Sequence, residues 1–152
     1  MTITDDLVQE VFNETIFPNL KELVEKQSLY NPKVVKSKPS VSKIFPIVPI
    51  KLLPSQNTYG NLSYTQERFS FGIEIDINSQ DKVVEDKIIS RRTICEEITN
   101  LVIKYFKENF RVSIYIEPNA VSTDDTVHRA VIRISGVIDT RYGKDNLVIY
   151  PR

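Results

Sequence analysis

The stretch RFSFGIEIDIN, Arg68 to Asn78, alternates without a break, with Phe69, Phe71, Ile73, Ile75 and Ile77 on one side and Ser70, Gly72, Glu74, Asp76 and Asn78 on the other. A period of two is what a strand shows when one face is buried and the other meets solvent. The chain therefore has to build a sheet with one apolar face, and something has to cover that face. From Asp5 to about Gln27, the apolar residues Leu7, Val8, Val11, Phe12, Ile16, Leu20, Leu23 and Val24 recur on one helical stripe. Thr4 or Asp5 can cap this helix, and Pro18, which lacks a backbone donor, is expected to kink or split it near Ile16 and Phe17. Beyond the alternating strand, Asp81 or nearby polar residues can start a long central helix. Its apolar positions are Val84, Ile88, Ile94, Cys95, Ile98, Leu101, Val102, Tyr105 and Phe106, and it should end near Asn109.

The remaining segments supply more strands. RVSIYIEP alternates Val112, Ile114 and Ile116, NAVSTDD makes a turn, and TVHRAVIRISGVIDT is long enough to pair back. NLVIYP closes the chain as a short strand. In KIFPIVPIKLL, Pro46 and Pro49 cannot donate to a ladder, so a strand there should lie at an edge or be irregular. The apolar runs on either side of PSQNTYGNLSYTQ can pair as hairpin arms around a polar loop that carries Tyr59 and Tyr64. The expected fold is α+β, a mostly antiparallel sheet with an N-terminal helix and a long central helix packed against it. With 152 residues, of which 41% are hydrophobic, the chain reads as one domain. It divides into an N-terminal helix (1–27), a basic proline-containing connector (28–43) and an α+β core (44–152).

Charge narrows the function classes. Twenty basic residues balance twenty acidic ones, so only a local patch can point to nucleic acid or an anionic surface. Ser28 to Gln66 is such a patch, with Lys33, Lys36, Lys38, Lys43 and Lys51 and no acid, but the lysines are sparse and read best as a solvated linker. Cys95 is the only cysteine, which rules out an internal disulfide and suits a reducing cytoplasm. The opening MTITDDLVQEVFNETIF carries acids where a secretory signal carries positive charge, and no apolar run approaches the ~20 residues of a membrane span, so a soluble protein is expected.

Four glycines, at 60, 72, 136 and 143, allow neither a P-loop nor a dinucleotide fingerprint. Three other arrangements bear on chemistry. Asp124, Asp125 and His128 are plausible metal-ligand types, but their spacing matches no known signature, and a turn followed by a strand explains them as well. Glu74 and Asp76 share a strand face as acid–base carboxylates can, yet alternation alone places them in solvent. Cys95 lies in the apolar stripe between Ile94 and Ile98, where a thiol is a core residue rather than a nucleophile. Within the stretch IEPNAVSTDDTVHRAVIRISGVID, Arg129 and Arg133 share a strand face with Val127, Val131 and Val137, while His128, Ala130, Ile132, Ile134 and Ile138 form the other. Arginines among valines fit a protein interface or, equally, a solvated pair covering a sheet.

FPIVPIKLLPSQNTYGNLSYTQERFSFGIEIDIN, then RRTICEEITNLVIKYF, then FRVSIYIEPNAVSTDDTVHRAVIRISGVID together resemble the tail terminator proteins of tailed phages, also called tail completion or neck proteins. The resemblance runs from about Ile44 to Asp139 as a succession of elements, with IEIDIN and VHRAVIRISGVID its most suggestive pieces. It implies a virion protein with no catalytic site, no cofactor and no membrane contact, assembled in the host cytoplasm. Such a protein forms a ring with itself, typically a hexamer, that caps the tail tube, joins it to the head–tail connector and lets DNA pass without specific recognition. Tyr59 and Tyr64 on the loop and Arg129 and Arg133 on the strand would then be subunit-contact residues, by position and residue type. Two alternatives stand beside this. One is a small metal-dependent nucleic-acid enzyme or DNA-binding module using Glu74, Asp76 and Asp124 or Asp125 with the lysine segment. The other is an adaptor of the same fold class in a contractile injection machine.

Overall fold

The computed structural model describes residues 8–36, 44–57, 68–139 and 148–151. The fold is mixed α+β, with a mostly antiparallel sheet and an N-terminal helix. That helix, α1 (8–27), buries Val8, Phe12, Ile16, Leu20 and Val24, the stripe expected from its spacing. Pro18 does not split it. The turn Phe12–Ile16 widens to π geometry, in which the Phe17 N–H reaches back five residues to the Phe12 carbonyl, and α-helix resumes at Phe17–Gln27. A proline ring crowds the carbonyl four residues before it, and one widened turn relieves the clash without breaking the axis.

The expected connector at 28–43 is not featureless. Strand β1 (Lys33–Val35) runs parallel to the start of β2 (Ile47–Asn57). β2 pairs antiparallel with β3 (Arg68–Ser79), as the hairpin reading requires, and its register slips between Leu53 and Gln56, where Pro54 sits. Contrary to the expected edge position, β2 lies between β1 and β3 as far as Pro49, which is opposite Val35; beyond it β2 has no partner on that side among the described residues, so Pro54 lies on an open edge.

The next segment corrects the sequence reading. Residues 82–89 are a hairpin, β4 (Lys82–Val84) and β5 (Lys87–Ile89), so Val84 and Ile88 are strand rather than helix residues. β-branched pairs on each side of Glu85-Asp86 favour strands locally. The second helix, α2 (Arg91–Asn109), has 19 residues. Ser90 caps it by accepting the Thr93 N–H at 3.2 Å, and Asp81 still serves its start, taking the Arg91 N–H at 2.8 Å from across the hairpin base.

β6 (Ser113–Ala120) and β7 (His128–Asp139) pair antiparallel, and β7 also pairs with β3 along its full length. The strand order is β1-β2-β3-β7-β6, and β8 (Val148–Pro151) continues the β6 side of β7 from Gly136 to Asp139. Both helices join one core with the inward side chains of the sheet: Ile73, Ile75 and Ile77 of β3, Ala130, Ile132 and Ile134 of β7, and Val48 and Ile50 of β2. Leu20, Ile98 and Phe106 are fully buried against them. Complete burial of each such side chain is worth about 2 kcal/mol, so this two-layer contact dominates the stability.

Candidate functional site

With both helices on one face, the other face of the sheet keeps its polar side chains, and register brings them into rows. Lys51, Glu74, Arg133 and Tyr115 lie side by side across β2, β3, β7 and β6, and Asp76, Val131 and Glu117 form the next row. Arg129 Nε bonds Asp76 Oδ1 at 2.8 Å, and its Nη1 donates to the Val121 carbonyl at 3.0 Å. Arg133 stands between Glu74 at 3.5 Å and Glu117 at 3.7 Å, and its guanidinium lies 5.9 Å from the Tyr115 ring centroid. The hydrogen bond that Arg129 donates to Asp76 holds its guanidinium above its already high range, against the opposing effect of burial. Val131, at the centre of these four charged neighbours, is 1% exposed. The result is a preorganised lattice of arginines and carboxylates over valine, with Tyr115 standing 60% exposed at its border.

The groups that sequence offered for chemistry are thereby engaged. Glu74 and Asp76 are ion-pair partners of arginines rather than free acids or bases. Asp124 folds back on its own turn, taking the Thr126 N–H at 2.9 Å and the Thr126 hydroxyl at 2.7 Å, and these bonds hold its carboxyl below the usual range. His128 Nε2 lies 2.9 Å from the Pro118 carbonyl, and among the described residues no three His, Cys, Asp or Glu side chains are grouped to hold a metal. Cys95 is 1% exposed, in contact with Ser79 Oγ at 3.1 Å, and burial pushes its thiol up, the wrong direction for a nucleophile. Of the four interface residues expected, Arg129 and Arg133 lie together on the lattice, while Tyr59 and Tyr64 fall outside the described residues.

Two features were not anticipated. Along β6 a cleft of about 260 Å³ opens between α2 and the sheet, floored by Cys95, Ile116 and Ala130 and rimmed by Arg92, Glu96 and Asn100. It is smaller than the ~300–1,000 Å³ of small-molecule sites. The β4–β5 hairpin stands apart from the main sheet and presents Val83 and Ile88, directly paired, at 65% and 76% exposure. Alternation in SIYIEP marks Ile116 as apolar, but only the packing of α2 over β6 makes it part of a cleft. No family model matches the chain, and no curated protein matches it.

Proposed function

We propose that the protein is a structural subunit of a phage tail, closing the finished tube as a ring, typically hexameric, and joining it to the head connector. DNA would pass through the ring without being read. The observation that carries this reading is the arginine–carboxylate face. Exposed Tyr115 and Arg133 are residue types enriched at protein interfaces, and here they are held in fixed geometry by Glu74 and Glu117 before any partner arrives. The resemblance over about Ile44 to Asp139 is the reason for proposing a tail terminator as the assembly. The ion pairing of Glu74 and Asp76 supports assembly over hydrolysis, because a carboxylate held by arginine is a poor general base.

The test is the mass of the purified protein by light scattering over a concentration series, with electron microscopy of any large species, alone and with tail tubes. A closed ring with a central channel, or a cap on tube ends, is the expected result. A monomer at every concentration that also ignores tubes would sink the proposal, as would divalent-metal-dependent nuclease activity that disappears in Glu74→Ala/Asp76→Ala.

A further inference from the structure

We infer that two free copies of the chain pair across a two-fold axis through the open edge of β6, antiparallel, with Ile114 of one opposite Ile114 of the other. This goes beyond the ring reading and does not rest on it. Among the described residues, Ser113–Glu117 of β6 pair with β7 alone, so one row of their main-chain N–H and C=O groups has no strand partner. The ends of the open stretch set its register. Helix α2 finishes at Asn109 and is capped by extended Phe110, while Pro118, which has no N–H to donate, stands in the register shift after Glu117. Between them run Arg111 to Glu117, with Ile114 at the midpoint. Antiparallel overlap of this whole stretch with its own copy sets Arg111 opposite Glu117, Val112 opposite Ile116 and Ser113 opposite Tyr115, each of them twice.

Charge complementarity makes the occupant a second copy. Alternation puts Arg111 on the same face as Ser113, Tyr115 and Glu117, the charged face of the sheet. Arg111 is exposed, and its side chain makes no hydrogen bond or ion pair among the described residues. Glu117 Oε2 lies 3.7 Å from Arg133 Nη1, longer than a hydrogen bond, so the carboxylate keeps the capacity to accept from a second guanidinium. Full overlap therefore makes two Arg–Glu cross-strand pairs with one rotation. Sliding the register by two residues sets Arg111 against Tyr115 or Asn119 and makes neither pair, and a slip by one turns the side chains to the wrong face. On the apolar face, Ile116, which is 39% exposed, meets Val112 of the second copy and extends the core side of the sheet. A strand from another protein would need this same pattern in reverse, and the chain's own edge already carries it. The contact is isologous, the same patch on both copies, and closes at two.

The test is sedimentation velocity on the full chain over a concentration series, for the parent, Arg111→Glu, Glu117→Arg and the double swap, with circular dichroism to check that each is folded. The parent is expected to show a monomer–dimer equilibrium. Each single swap sets like charges opposite each other in both pairs and should weaken the dimer by about tenfold or more. An equimolar mixture of the two single variants is complementary again at both pairs and should form a heterodimer at close to the parent's affinity, and the double swap should pair with itself. A parent with no two-copy species at any concentration overturns the inference and leaves the ring reading to its own test. So does a dimer that the single swaps leave unchanged, or that neither the mixture nor the double swap restores. A dimer that follows the swaps but neither closes into rings nor caps tubes upholds this inference and sinks the ring reading.

Discussion

At the β1 edge of the sheet, Val34 turns its N–H and C=O away from β2, and helix α1 meets both: Glu25 Oε2 accepts the N–H at 3.1 Å and Lys21 Nζ donates to the carbonyl at 3.2 Å. The two side chains also bind each other at 2.7 Å. At the β6 edge no strand or side-chain clip covers Ser113–Glu117 among the described residues. Instead Pro118 sits in a register shift after Glu117, and Tyr115 and Ile116 remain accessible. An unpaired strand edge is a template for other chains, and proteins normally block it. Here the β1 stretch of one edge is closed by these hydrogen bonds at Val34, and the other edge is only blunted by a proline and a bulge, beside the cleft and the charged face. The contrast separates the side that stabilises the monomer from the side available to partners.

The sharpest way to break the comparison is to weaken the sealed side at its root. Leu20→Ala empties a fully buried site on the helix that carries the clip and should lower stability by about 3 kcal/mol, read as a fall in the urea midpoint. On the open side the best-held contact is Arg129 with Asp76, whose side chains are 29% and 14% exposed. Asp76→Ala leaves the guanidinium half-buried without its partner and should cost about 2 kcal/mol, less than for a fully buried pair. A loss under ~0.5 kcal/mol would mean that the lattice is surface decoration.

The clip itself predicts a pH dependence. Burial pulls Glu25 upward, but the bonds from Lys21 and the Val34 N–H outweigh it and leave the carboxyl below its ordinary value of 4.5. A lowered folded value means the contribution is complete above the unfolded value and disappears as pH falls through the folded one. Glu25→Gln should therefore lower Tm at neutral pH, by a loss of about 1 kcal/mol, with the gap to the parent closing below about pH 4.5. A gap that stays constant with pH would show that the charge contributes nothing to the seal. The smallest stability change is expected for Arg133→Ala, whose side chain is 45% exposed: under ~1 kcal/mol by thermal melting. The same variant should weaken self-association, and an unchanged assembly would remove the charged face from the interface.

Much of this architecture was legible because it is written locally. The alternation from Phe71 to Ile77, the stripe of α1 and the pairing of SIYIEP with HRAVIRISGVID all follow from periodicity, and the structure has them in place. The hairpin at 82–89 was misread because Val84 and Ile88 are spaced four apart, as helical neighbours are, and only the left-handed turn at Glu85-Asp86 separates the two readings. β1 was missed because three residues are too short to show a period. Arg129 and Arg133 could be assigned a face but not partners.

The sequence by itself determined that a half-buried sheet would form and which side of each long strand would meet the helices, because side-chain period is a property of the local backbone. It also carries the resemblance on which the proposed assembly rests. Tertiary structure alone decided that Arg129 would meet Asp76, 53 positions away, that Lys21 and Glu25 would close an edge, and that α2 would leave a cleft over β6. Those outcomes depend on register and on which element packs where, and a hydrogen bond between distant side chains exists only after the chain between them has been fixed.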